Sequence, residues 1–353
     1  MSRSLDETTL AAIEYADTDA LVRIVDAMCS RRAWDEIVAL RIHCRAAVER
    51  GKQVWSIEEH ARYRLALEGP DDLAGEVVAE GPARFTLGPL PEVAAQSHRW
   101  STLEPFLGSG PERAIAAHER ALRGEDIDPS RIDPHVLEIP IRLQSWEPEY
   151  PLAEYASDRA EFPAPAEVPY EWRDLAAADR IGDDDVEDAL LGLVTPWVTA
   201  SNGVAETAAV NGDAFAAVGS FGLRRAGFAR VSPAAAMAWM GWAAASGGAY
   251  GRRRGAASGR FHAWWAAAAL AGLDVPPSPE ELGEAVDELR WYLWTDGVTP
   301  GWTLRLAVED PSHDLAWAIT AVDERADEPS EGPATGDRRP DDRRPDDRRS
   351  GGQ

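Results

Sequence analysis

The sequence predicts a mainly α-helical protein, and three observations lead to this fold class. Apolar residues recur at helical spacing through the first 123 residues. Helix-start signals recur in the C-terminal half, where Ser232 precedes Pro233 and Ser278 precedes Pro279. Sustained alternation of apolar residues, which is typical of strands, is confined to the region after residue 301. We therefore predict two helical units and one β-hairpin.

Residues 1–123 are predicted to form an N-terminal helical module. Leu21, Val25 and Met28 share one helical face, and Trp34 and Val38 share another. The helices are expected near residues 5–15, 18–29, 31–50, 57–68, 71–80 and 111–123. No repeat of fixed length is found, so a repeat architecture is not predicted.

Residues 124–182 change character and are predicted to form a Pro-rich acidic arm without regular helices. Eight prolines and many acidic residues interrupt any helical pattern. Aromatic residues such as Trp146, Tyr150 and Phe162 accompany them. Because a disordered segment is usually poor in aromatic residues, we expect this arm to pack on the body of the protein.

Residues 183–322 are predicted to form a C-terminal helical unit closed by a β-hairpin. The acidic run 183–188 suits the N-terminus of a helix, although the same residues could instead coordinate a divalent cation. Asn211-Gly212 is expected to form a turn between a short strand and a helix. Further helices are expected at 233–245, 252–272 and 278–294, and the hairpin at 302–322, with strands 302–308 and 315–322. The repeat DRRPDDRRPDD dominates residues 323–353, which we expect to be a disordered charged tail.

The segment SGGAYGRRRGAASGR, at residues 246–260, could be a phosphate-binding loop or a packing corner. It lacks the lysine of a P-loop and the Gly-x-Gly-x-x-Gly fingerprint. Every fourth residue from Gly247 to Ala271 is instead Gly or Ala, and such a row forms one ridge of a helix. We therefore predict that helices 233–245 and 252–272 pack closely as a hairpin.

Net charge and cysteine content exclude several classes of protein. The chain of 353 residues carries a formal charge of −25, which opposes binding to nucleic acids and anionic membranes. Its two cysteines cannot build a disulfide framework or a four-thiolate zinc site. The N-terminal MSRSLDETTL has no apolar stretch, so we expect no secretory signal. No run of 18 strongly apolar residues is free of charges and glycine clusters, so we expect no membrane span. The two cysteines are expected to be buried thiols in a reducing cytoplasm.

Basic residues are concentrated in residues 214–273, which contain seven arginines and no acidic residue. These arginines either pair with the acidic arm or form a pocket for a small anion, since the guanidinium fork suits carboxylate and phosphate groups. The candidate anion-binding residues are Arg252, Arg253, Arg254, Arg260 and His262, and His262 is also the first choice for a general acid or base.

No other chemical motif emerges from the spacing of reactive residues. Histidine pairs with metal-ligand spacing and a Gly-x-Ser-x-Gly elbow are absent, so neither a metal nor a cofactor is predicted. The sequence therefore favours a non-catalytic binding or scaffold protein that acts through protein–protein contacts. The alternative is an enzyme or sensor for a small anionic ligand bound by segment 214–273.

Overall fold

The computed structural model describes residues 5–325 and combines helices with an extended sheet. This part of the chain contains thirteen α-helices, a six-stranded antiparallel sheet and a two-stranded sheet. The predicted mainly α class is therefore wrong, and the protein is mixed α and β. Residues 326–353, most of the predicted disordered tail, lie outside the described residues.

Helices occupy residues 7–122 almost continuously and alternate with strands after residue 183. They are α1 (Glu7–Glu14), α2 (Thr18–Ser30), α3 (Trp34–Glu49), α4 (Trp55–Glu68), α5 (Asp71–Ala79), α6 (Leu90–Ser97), α7 (Trp100–Leu103), α8 (Pro111–Leu122), α9 (Asp184–Thr199), α10 (Ala214–Gly219), α11 (Pro233–Ala245), α12 (Ala256–Leu270) and α13 (Pro279–Glu288). Short 3-10 helices follow α7 and α8, at Glu104–Phe106 and Pro129–Arg131.

Eight strands form the two sheets. They are β1 (Glu154–Tyr155), β2 (Ala160–Glu161), β3 (Glu171–Asp174), β4 (Val204–Asn211), β5 (Arg225–Val231), β6 (Arg290–Thr295), β7 (Trp302–Asp310) and β8 (Leu315–Asp323). β1 pairs with β2, and the larger sheet has the order β3-β5-β6-β7-β8-β4 with every neighbouring pair antiparallel.

The strands that the sequence analysis missed lack the alternation by which strands are recognised. β5 and β6 lie inside the sheet, and most of their residues are buried, so apolar residues follow one another without a polar face. A short continuous apolar run cannot be told from a buried helix by periodicity alone. The helix expected at 278–294 consequently ends at Glu288, and β6 begins two residues later. β4, the short strand expected before the turn at Asn211-Gly212, contains three alanines, one glutamate, one threonine and one asparagine besides its two valines, a composition that favours strands weakly.

The N-terminal helices enclose a core of their own. Leu21, Leu40, Leu65, Leu90 and Leu103 are all almost completely buried in it. This core extends to the start of the proline-rich segment, where Tyr155 of β1 belongs to the same buried cluster.

The second core lies between the inner face of the large sheet and helices α9, α11 and α12. Trp197, Met240 and Trp264 from these helices belong to one buried cluster with Leu306 and Ile319 from β7 and β8. On the outer face, the short helix α10 covers a smaller cluster that includes Val218, Phe228 and Trp294. Phe162 packs against both the N-terminal and the inner-face cores, so the proline-rich segment bridges them.

The close packing predicted between α11 and α12 is confirmed at Gly259. A Cβ atom at this position would lie 2.3 Å from the carbonyl oxygen of Gly241 and 2.8 Å from the Cβ of Ala245. α12 starts at Ala256 rather than at residue 252, because Gly255 has a φ of +95°, which a helix cannot contain. Residues 252–254 therefore lead into the helix from outside it.

Candidate functional site

The five residues singled out from the sequence lie in four different surroundings. Arg253 and Arg260 are buried in separate ion pairs, whereas Arg252 is exposed on the surface. Arg254 and His262 are the one pair that the fold brings together, with Arg254 Nη1 2.7 Å from His262 Nε2. The five side chains therefore do not converge on a single pocket.

Arg253 forms a two-point ion pair with Glu92 of α6. Its Nη2 and Nε donate to the two carboxylate oxygens at 2.6 and 2.8 Å, and its guanidinium lies 3.5 Å from the ring centroid of Phe162. The hydroxyl of Tyr155 donates to the same carboxylate at 2.5 Å. Burial opposes the ionisation of Glu92, but the charge and hydrogen bonds of Arg253, together with the hydrogen bond from Tyr155, outweigh it, and the pKa of Glu92 lies below its ordinary value.

A second buried carboxylate, Glu119 of α8, meets the first turn of α12 beside Glu92. The backbone N–H groups of Ala256 and Ala257 donate to Glu92 at 3.2 Å and to Glu119 at 2.8 Å. Free N–H groups at a helix start favour such acceptors. Burial, and then the negative charge of Glu92, raise the pKa of Glu119 to about 8, although Arg123 Nη1 lies 3.2 Å from its carboxylate and opposes the shift. This cluster joins α12 to the N-terminal helices.

Arg260 is completely buried and pairs with Glu147 of the proline-rich segment. Its Nε and Nη2 each donate to a carboxylate oxygen at 2.7 Å, and the remaining donors reach the carbonyl oxygens of Pro140 at 2.7 Å and Arg142 at 3.2 Å. Trp264 Nε1 donates to Glu147 at 2.8 Å. All the charged and polar contacts of Arg260 thus bind α12 to this segment.

A cavity of about 740 Å³ lies between α9, α12 and the turn that follows α12. Asp185 and Asp188 border it from α9, and Asp274 borders it from the turn. Phe261 and Trp265, one helical turn apart on α12, supply aromatic walls with ring centroids 5.6 Å apart. A cavity of this size is in the range of ligand-binding pockets.

His262 lies in the wall of this cavity and is neutral at physiological pH. Burial and then the positive charge of Arg254 lower its pKa to about 4. Arginine is only a donor, so Nε2 of His262 accepts from Arg254 and the ring proton resides on Nδ1. Arg254 also reaches the carbonyl oxygen of Gly192 at 3.4 Å, which places this guanidinium behind two residues of the cavity wall.

The arrangement of acidic and sulfur-containing side chains does not suit a metal ion. Within residues 5–325, no group of three or more His, Cys, Asp or Glu is placed to hold one. Cys29 and Cys44 are buried free thiols whose pKa values burial raises to about 11 and about 12. Neither thiol therefore has the thiolate character that metal binding or nucleophilic chemistry requires.

Sequence reasoning found His262 and noticed the acidic run 183–188, but it did not connect them. Phe261 and Trp265 are spaced four residues apart, and this spacing is the one signal that could have indicated an aromatic wall on α12. Asp274 is the first acidic residue after the acid-free segment, and its approach to α9 depends on tertiary packing that no local pattern encodes.

Comparison with known proteins gives a family but no function. No helix in residues 5–325 combines the length and apolar character needed to cross a membrane. No curated protein and no solved structure matches the chain. Residues 19–325, which include both cores and the cavity, match a family of unknown function, and the chain belongs to this family, DUF6183.

Proposed function

We propose that the protein is a non-catalytic binding protein whose ligand occupies the cavity between α9 and α12. The observation that carries this proposal is the combination of a cavity of about 740 Å³ with aromatic walls and with carboxylates that form no ion pair with residues 5–325. Ligand sites typically combine an apolar lining with a few polar groups that orient the bound molecule. A neutral His262, held by Arg254, supplies a hydrogen-bond donor at Nδ1 and no charge.

A ligand screen with a cavity-filling variant tests this proposal. Thermal unfolding of the wild-type chain and of Ala269→Trp is followed in the presence of a panel of cationic, neutral and anionic small molecules. A ligand at about 100 times its Kd stabilises the native state by about 2.7 kcal/mol, which such a scan detects. Ala269 lines the cavity, so the variant should lose the shift, whereas Ala27→Trp, on the exposed face of α2, should keep it.

Two results would contradict the proposal. One is a panel in which every stabilising compound acts equally on the wild type and on Ala269→Trp, because the ligand would then bind elsewhere. The other is recovery of a stabilising compound in chemically altered form, since the site would then be catalytic. Mass spectrometry of the compound after incubation distinguishes binding from turnover.

A second candidate function, contact with a protein partner, is supported by an exposed aromatic surface. The rings of Trp55 and Phe85 lie 4.0 Å apart, with 40% and 54% of these residues exposed. The guanidinium of Arg252 lies 5.4 Å from the ring centroid of Phe85. Tryptophan and arginine are enriched where partners bind tightly. A partner that is identified with the wild-type chain and then binds purified Phe85→Ala equally well would refute this role.

Among the four candidate arginines of the anion-binding alternative, Arg252 and Arg254 are the ones that could still meet a small anionic ligand. The guanidinium groups of Arg253 and Arg260 are already neutralised by Glu92 and Glu147. Opening either pair to admit an anion would leave a buried carboxylate without its partner, which is strongly unfavourable. The anionic members of the ligand panel test this alternative together with Arg254→Met.

A further inference from the structure

We infer that the cavity between α9 and α12 recognises an organic cation, a primary or quaternary ammonium group. This inference deepens the proposed function and rests on it, because it assigns a chemical class to the ligand of the same cavity.

The charges at the cavity rim determine the sign of the preferred ligand. Asp185, Asp188 and Asp274 border the cavity, and none of them forms an ion pair with a residue of the described chain. Arg254 contacts Gly192 and His262, two of the residues that line the cavity, and contributes one positive charge beside it. Three negative charges and one positive charge leave a net charge of −2 around the opening. Opposite charge complementarity therefore favours a positively charged ligand.

His262 does not offset this negative charge. Its Nε2 accepts a hydrogen bond from Arg254 at 2.7 Å, and this contact disfavours a second proton on the ring. The low pKa of about 4 agrees with the geometry. His262 is therefore an uncharged part of the cavity wall at physiological pH, and the three carboxylates dominate the electrostatic potential of the cavity.

The aromatic side chains indicate an organic cation rather than a metal ion. Phe261 and Trp265 are neighbours on α12, and Trp265 is 39% exposed, so part of its ring is free to meet a ligand. The negative face of an indole ring attracts ammonium groups, and aromatic side chains combined with carboxylates recognise alkylated amines. In residues 5–325, no set of carboxylates is gathered closely enough to coordinate a metal.

Three probes of nearly equal shape but different charge test this inference. Choline is the cation, 3,3-dimethylbutan-1-ol replaces its nitrogen with carbon and is neutral, and 3,3-dimethylbutanoate is the anion. Binding to the full chain is measured by calorimetry or ligand-observed NMR at low salt. We expect choline to bind at least ten-fold more tightly than the alcohol, and its binding to weaken as salt is added. We expect the carboxylate not to compete with choline for the site.

Matched variants locate the interaction. Asp188→Asn and Trp265→Ala should each weaken choline binding about five-fold or more, because each removes one contribution to cation recognition. Asp184→Asn is the control, since Asp184 precedes Asp185 on α9, is exposed and does not line the cavity. The control should bind choline as the wild type does, and all three variants should retain the far-UV circular dichroism of the wild type.

The outcomes separate this inference from the proposed function. If the alcohol or the carboxylate binds as tightly as choline and Ala269→Trp abolishes binding, the cavity binds ligands but does not select cations, and only the inference fails. If choline binds equally to wild type, Asp188→Asn and Trp265→Ala, its site lies elsewhere, and the inference is overturned. If none of the three probes binds at millimolar concentration, cation recognition is overturned, and the broader ligand screen decides the proposed function independently.

Discussion

Replacing Glu147 with glutamine should destabilise the protein far more than the same change at an exposed position. The Glu147 carboxylate accepts hydrogen bonds from two Arg260 nitrogens at 2.7 Å, from Trp264 Nε1 at 2.8 Å and from the Tyr150 hydroxyl at 3.0 Å. Glutamine keeps the shape but turns one acceptor into a donor. It also removes the negative charge that compensates Arg260, which is fully buried.

The magnitude follows from the burial of both partners. Removing one member of a buried ion pair leaves an uncompensated charge and costs about 3 to 5 kcal/mol. The variant Glu147→Met with Arg260→Met removes both charges and should recover part of this loss, because no unpaired charge remains. The comparison separates the cost of an isolated charge from the cost of lost packing.

Urea unfolding, followed by tryptophan fluorescence and circular dichroism, measures the change in the free energy of unfolding. Glu161→Gln is the matched control, since Glu161 lies in the same proline-rich segment and pairs with Arg159 at 2.9 Å in an exposed position. Exposed pairs add little stability, so the control should unfold close to the wild type. A Glu147→Gln chain as stable as Glu161→Gln would refute the view that Arg260 depends on Glu147.

Three further expectations concern the same half of the molecule. Burial raises the pKa of Glu119 from 4.5 to about 8, so the free energy of unfolding should decrease as the pH rises from 4.5 to 8. The variant Glu119→Gln should reduce this pH dependence, and urea midpoints at several pH values measure it. Gly259→Ala should cost about 1 to 3 kcal/mol, because its Cβ would lie 2.3 Å from a carbonyl oxygen of α11, whereas Gly192→Ala, with nothing within 4 Å, should be neutral or stabilising in the same assay. Arg254→Met should move the pKa of His262 from about 4 back toward 6.5, which an NMR titration of the ring protons reports; an unchanged value would exclude Arg254 as a cause.

The starts of α11 and α13 could be predicted from the sequence because helix capping is a local interaction. The hydroxyls of Ser232 and Ser278 accept the N–H groups of Ala235 and Glu281, as expected for helix caps that precede a proline. The signal is local because the capping hydroxyl and the backbone N–H that donates to it lie within one turn. The same holds for the hairpin of β7 and β8, where apolar residues alternate along both strands and a four-residue turn joins them.

The large sheet could not be predicted in the same way, because its strands are far apart in the sequence. β4 pairs with β8 more than one hundred residues later, and β5 pairs with β6 across α11, α12 and α13. The pairing of a strand with a distant partner depends on the packed helices between them. Aromatic residues in β6, such as Trp291 and Trp294, were a usable sign of β structure, but the preceding helical pattern of α13 obscured it.

The candidate site shows why the charge of a segment does not predict the charge of a surface. Residues 214–273 carry seven arginines and no acidic residue, yet their buried arginines meet Glu92 and Glu147, which lie 161 and 113 positions away from Arg253 and Arg260. Acidic residues outside the segment, Asp188 on α9 and Asp274 directly after the segment, line the cavity that α12 forms with α9. The positive charges of Arg253 and Arg260 are therefore neutralised in ion pairs that hold α12 in place. The cavity beside that helix is bordered by acidic residues from outside the segment. The proposed ligand-binding surface therefore has the opposite charge to the local sequence, and the three probes of similar shape but different charge distinguish the two signs.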